Sequence, residues 1–103
     1  MENEKNMNQE ISLLIMIEVK PGHREEQIKA YNELAPKVLA EEGCLEYNLQ
    51  TVEGDENKFV LVEKWKSEEA LAFHDDTDHM KEADSKNHLF RAKPAEVLRL
   101  ADI

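Results

Sequence analysis

From Ile11 to Val19 every odd position is apolar (Ile11, Leu13, Ile15, Ile17, Val19), while the even positions read Ser12, Leu14, Met16, Glu18. A period of two predicts a strand with one face fully buried and the other only partly polar. Lys20-Pro21-Gly22 predicts a turn, because Pro presets one dihedral and Gly accepts the positive φ that often follows. From His23 to Glu42 the period changes. Ile28, Tyr31, Leu34, Ala35, Val38 and Leu39 recur at spacings of three and four, the pattern of an amphipathic helix, and Glu25 and Glu26 stand where they favour its N-terminal dipole. Pro36 lies inside the pattern, removes one backbone hydrogen bond and predicts a bend. Gly43 predicts a C-terminal cap.

Two strand-like runs follow, Cys44 to Val52 and Lys58 to Trp65, joined by the hairpin-type loop Glu53 to Asn57. The first alternates Leu45, Tyr47 and Leu49 with Glu46, Asn48 and Gln50. The second is apolar at nearly every position, which predicts cover on both faces. Ser67 predicts an N-cap for a second helix with Glu68 and Glu69 in its first turn. Asp75 to Asp78 interrupts that helix, Thr77 or Asp78 can cap a further piece to about Leu89, and Glu96 to Leu100 predicts a last short strand. Strand, helix, strand, strand, helix, strand is the order of a ferredoxin-like α+β fold: a split β-α-β antiparallel sheet with helices on one face. The chain divides into a disordered polar tail, residues 1–10, and a single domain, residues 11–103. Helices on one face leave Leu14, Met16, Val60 and Val62 uncovered on the other. Packing that face on a second copy predicts a homodimer.

Composition narrows the function. A chain of 103 residues holds one core, so a pocket is small or shared between subunits. Asp and Glu number 23 against 13 for Lys and Arg, a formal net charge of −10, which disfavours nucleic acid and anionic membrane surfaces. No apolar run approaches a bilayer span and the start lacks a secretory signal, so a cytoplasmic location is expected. The single cysteine, Cys44, cannot form an intramolecular disulfide, and reads as a small residue at the start of a strand.

Four segments in order carry a family resemblance: V-K-P-G (Val19 to Gly22), E-E-G-C-L-E-Y (Glu41 to Tyr47), F-V-L-V-E-K-W (Phe59 to Trp65) and S-E-E-A-L-A-F-H-x-x-x-x-H (Ser67 to His79). Together they resemble the antibiotic biosynthesis monooxygenase domain. The resemblance implies a dimeric α+β barrel with a pocket between each sheet and its helices. It also implies one of several chemistries: metal-free and flavin-free oxidation of quinols or anthrone-like polyketides, haem degradation, or isomerisation of the phosphorylated autoinducer-2 sugar. The haem-degrading branch carries its axial His where this chain has Asp84 and an Asn where it has Ile15, which argues against haem. The same carry-over puts a pocket-lining position at His74. The isomerase branch matches at Ala72, Phe73, His74, Thr77 and His79. A sugar phosphate would also want a cation from among Lys64, Lys81 and Arg91.

Oxygenation without a cofactor needs a base that converts a phenolic or enolic substrate to its more reducing anion. Neutral His suits that task near pH 7, and His74, then His79, are the candidates. Trp65, Tyr31, Tyr47 and Phe73 can stack on a planar ring and Asn48 can bond a substrate oxygen. Trp65 and Tyr31 equally fit core positions, and alternation allows Asn48 to face the dimer interface instead. Isomerisation needs a base and a second group to return the proton, which two histidines supply. No cofactor and no metal are expected. Five residues on one helix set His74 and His79 about 140° apart, too far for one face to chelate. Asp75 with His79 and Asp84 with His88 have the better four-residue spacing, but with 23 Asp and Glu in the chain one such pair is expected by chance. A small-ligand binding module without turnover is the remaining alternative.

Overall fold

The computed structural model describes residues 9–103, so most of the expected tail lies outside the described residues. The elements are β1 (Ile11–Glu18), α1 (Arg24–Leu39), β2 (Cys44–Val52), β3 (Asp55–Trp65), α2 (Glu68–Asp75), α3 (Asp78–Lys86) and β4 (Glu96–Leu100), with a 3-10 turn at Asn87–Leu89. The strands form one antiparallel sheet in the order β2-β3-β1-β4. This is the ferredoxin-like α+β arrangement, with the two β-α-β halves interleaved.

Register assigns the faces. Leu13 pairs with Glu63, Ile15 with Leu61 and Ile17 with Phe59, and partners in a ladder point the same way. These side chains turn towards the helices, where Ala35 and Val38 of α1, Tyr47 of β2, Trp65 and Phe90 complete the core. On the opposite face Leu14 stands between Val62 and Leu98, and Met16 pairs with Val60. Met16, Leu98 and Leu100 are exposed there.

The turns follow their local chemistry, with two departures. Gly22 takes φ 85° after Pro21, and His23 N–H closes the turn on Lys20 O at 3.0 Å. The second hairpin is tighter than its composition suggests. Asp55 already pairs with Val52, so only Glu53 and Gly54 connect the strands, with Gly54 at φ 83°. Gly43 is not a left-handed helix cap. Helix α1 ends at Leu39 and is capped by Ala40 in a right-handed conformation. Gly43 instead admits α2: a Cβ placed on it would lie 2.2 Å from Ala70 Cβ. That close approach holds the start of β2, and Glu41 just before it, against the second helix.

Candidate active site

The helical interruption decides the geometry of the site. Ser67 Oγ accepts Ala70 N–H at 3.1 Å and starts α2. Thr77 Oγ1 accepts Met80 N–H at 3.3 Å to start α3, and its hydroxyl donates to His74 O at 2.8 Å. One threonine therefore closes one helix and opens the next. His74 and His79 belong to different helices, so the divergence calculated for a continuous helix does not apply. Both imidazoles converge on one carboxylate oxygen. His74 Nδ1 lies 2.9 Å and His79 Nε2 2.8 Å from Glu41 Oε2. The helix break likewise removes the assumed four-residue relation of Asp75 to His79.

An ionised carboxylate only accepts hydrogen bonds, so the ring nitrogens facing Glu41 carry the protons. That assigns the Nδ1–H tautomer to His74 and the Nε2–H tautomer to His79. His74 is 2 % exposed. Its ring lies 4.2 Å from that of Trp65, tilted by 36°, and meets Tyr47 edge-on at 6.0 Å. Its Nε2 has no hydrogen-bond partner closer than Glu63 Oε1, at 3.9 Å. Glu63 in turn accepts Trp65 Nε1–H at 2.9 Å. Two carboxylates and two imidazoles thus share one buried cluster.

Between the inner sheet face and the helices lies a cavity of about 750 Å³, a size suited to a small organic molecule. Leu13, Ile15 and Leu61 give it apolar walls, and His74, His79 and Glu63 stand on the same wall. Tyr31 also lines it, but its hydroxyl donates to Tyr47 O at 2.7 Å. What Tyr31 presents is a ring stacked on that of Tyr47, with centroids 5.9 Å apart. Arg91 reaches the cavity as well, its Nε–H donating to Gln27 Oε1 at 3.0 Å.

Burial raises the Glu63 carboxyl above its ordinary 4.5; the Trp65 N–H and His74 pull it down, while Asp75 and Glu41 add to the rise. A carboxyl raised on folding stays protonated in the native chain where the unfolded chain has lost its proton. Stability from this group is therefore present at low pH and is lost as pH rises from about 4.5 through the raised native value. Glu63→Gln keeps an acceptor for Trp65 and removes the titration. In chelator-treated buffer, thermal melts from about pH 4 to 8 should show the variant gaining on wild type as pH rises. A pH-independent difference would contradict this account.

Residues 11–86 match the family model described as "Antibiotic biosynthesis monooxygenase". The chain belongs to the antibiotic biosynthesis monooxygenase family. It is 39% identical over 89 residues to the Bacillus subtilis (strain 168) protein named "Putative monooxygenase YcnE", covering 86% of this chain and 94% of that one. The crystal structure of PA3566 from Pseudomonas aeruginosa superposes with a TM-score of 0.85 at 27% identity, covering 94% of this chain and 97% of that chain. A Caulobacter crescentus CB15 structure superposes with a TM-score of 0.87 at 26% identity, covering 99% and 97%.

In this member of the antibiotic biosynthesis monooxygenase family the sequence-derived candidates separate into three groups. His74, His79 and Tyr31 line the cavity. Trp65 is fully buried and does not line the cavity, but it backs two residues that do, His74 and Glu63. Phe73 and Asn48 do not reach the cavity. Phe73 is 66% exposed, as a residue 100° round the helix from an inward His74 must be. Asn48 pairs with Val62 and follows the outer face of the sheet. Of the three cations proposed for a phosphate, Arg91 lines the cavity and Lys64 and Lys81 do not. Cys44 is half-buried, and burial, with Glu41 and Glu63 nearby, pushes its thiol up to about 11, so it carries no reactive thiolate at neutral pH. Among the described residues no helix is long and apolar enough to cross a membrane.

Glu41 and Glu63 are the residues that sequence reasoning passed over. Glu63 had a readable signal: it shares the parity of Phe59, Leu61 and Trp65, so a strand burying those three buries its carboxylate too. Glu41 had none, because its partners lie 33 and 38 residues away.

Proposed function

We propose that the domain is a cofactor-independent monooxygenase acting on a quinol or an aromatic polyketide-like substrate, with His74 as the base and His79 in support. One observation carries the reading: His74 Nδ1 lies 2.9 Å from the Glu41 carboxylate, which accepts its N–H, so the lone pair on Nε2 is left without a donor at the cavity that His74 lines. Nε2 takes the proton of an enol or phenol, and the resulting anion passes an electron to dioxygen. For an activated methylene the overall change, R₂CH₂ + O₂ → R₂C=O + H₂O, needs no external reductant. The stacked Tyr31 and Tyr47 rings favour a planar substrate.

Oxygen uptake with naphthohydroquinone-type and anthrone-type substrates, in chelator-treated buffer, tests this. Uptake well above autoxidation supports it, whereas binding without uptake identifies a ligand-binding module. Arg91 on the wall favours one second reading, isomerisation of a phosphorylated sugar of the autoinducer-2 type. Proton exchange into that sugar, followed by NMR, would establish it in place of oxygenation.

The same reading includes a homodimer. Leu14, Met16, Val62 and Leu98 form an apolar outer sheet face, and a second copy covers it at least cost. Light scattering should give a dimer mass for the wild type and a monomer mass for Val62→Asp, which sets a charge in the middle of that face. A monomeric wild type would remove the dimer from the proposal.

A further inference from the structure

The three side chains that converge at the helix break have the composition of a metal centre as well as of a base. His74, His79 and Glu41 each present one donor atom, all within 4.8 Å of one another. We propose that Glu41, His74 Nδ1 and His79 Nε2 form a binding site for a divalent transition ion of the Zn²⁺ class, and that an ion there switches off His74 as a base.

Four observations support the site. Two imidazoles and a carboxylate are a donor set for Zn²⁺ and its neighbours, and they come from three separate parts of the chain: the connection between α1 and β2, α2 and α3. The observed spacings of 2.8 and 2.9 Å are near what an ion needs. Metal bonds of about 2.0–2.1 Å at a tetrahedral angle set donors about 3.3 Å apart, so each imidazole would move from Glu41 by about half an ångström, and the two ring nitrogens already lie within 4.8 Å of each other. Glu41 has a second oxygen to offer, since its Oε1 is buried without a hydrogen-bond partner. Finally, His74 is backed as metal-bound histidines are: its other nitrogen points towards the carboxylate of Glu63, itself held by the Trp65 indole. The side chain of His79 is 20% exposed, which provides the way in.

Loading the site requires no net proton release from neutral imidazoles. Each ring moves its N–H from the nitrogen facing Glu41 to the other nitrogen. For His74 that places the proton on Nε2, towards Glu63, and removes the lone pair that the oxygenase reading uses. This second clause rests on that reading, whereas the binding clause does not.

Protein dialysed against chelator and titrated with Zn²⁺ in a calorimeter should take up one equivalent per chain, and Co²⁺ should give the visible absorption of a low-coordinate ion bound by nitrogen and oxygen. Glu41→Gln and His79→Ala should each weaken binding by at least tenfold, with far-UV circular dichroism confirming the fold, while His88→Ala, on the exposed 3-10 turn, leaves it unchanged. Less than one equivalent, equal affinity in all variants, or loss in His88→Ala alone would overturn the site. Where the wild type shows oxygen uptake, one equivalent of Zn²⁺ should abolish it and chelator should restore it. Binding that leaves uptake intact would overturn the switch, and binding to a protein without uptake would sink the oxygenase reading while the site stands.

Discussion

His74→Gln is expected to lower kcat/KM for oxygenation by about 10²–10⁴-fold, the usual contribution of a positioned general base. Gln can still fill the space beneath Trp65 and donate to Glu41, so the packing is largely kept and the missing function is the basic lone pair. The diagnostic readout is the dependence on substrate acidity. A substrate already ionised at the assay pH has no need of the base, so the deficit should shrink for acidic quinols and widen for weakly acidic ones. Glu41→Gln should show a smaller loss of the same kind, because it loosens the tautomer without removing the imidazole. A uniform deficit across substrates of different acidity would mean that His74 positions the substrate and does not deprotonate it.

Gly43→Ala should be the most damaging small substitution in the domain. The added methyl would sit 2.2 Å from Ala70 Cβ and 3.4 Å from Ala70 Cα, and neither atom can rotate away. Relief requires moving α2 away from the start of β2. Overpacking of this kind costs about 3 kcal/mol, which for a domain of this size lowers Tm by about 10–20 °C. The displaced helix carries His74, and the displaced segment carries Glu41, so the 2.9 Å contact between them should lengthen together with the loss of stability. A thermal melt of the variant within about 2 °C of wild type would show that the two segments yield easily.

Much of the fold was legible because its signals are local. Ile11 to Ile17 betray a strand by parity, Ser67 and Thr77 announce helix starts by their hydroxyls, and Pro21-Gly22 specifies its own turn. The hairpin was less legible: Gly54 is read correctly as a turn residue, but the polar Asp55, Glu56 and Asn57 disguise the start of β3, where Asp55 pairs with Val52 ahead of an irregularity in the register. The candidate site was half legible. His74 and His79 stand out by residue type, and the break between them by its Thr and Asp content. Their meeting at Glu41 did not, since it depends on a glycine 27 positions before Ala70 allowing two segments to touch. Phe73 shows the opposite case, standing outside the cavity that its neighbour lines. A residue adjacent in sequence to one that lines the cavity shares its motif but not its direction, because a helix turns about 100° per residue.

The joint at Asp76 and Thr77 also separates two kinds of tolerance to change. Asp76 is exposed and makes only a surface ion pair with Lys81, so its identity can drift, whereas Thr77 caps both helices and cannot. The length of the joint is fixed, since one residue more or less would re-aim α3 relative to α2 and carry His79 off Glu41. The joint is therefore permissive to substitution at Asp76 alone and intolerant of insertion or deletion, the signature of a spacer whose information is carried largely by its count.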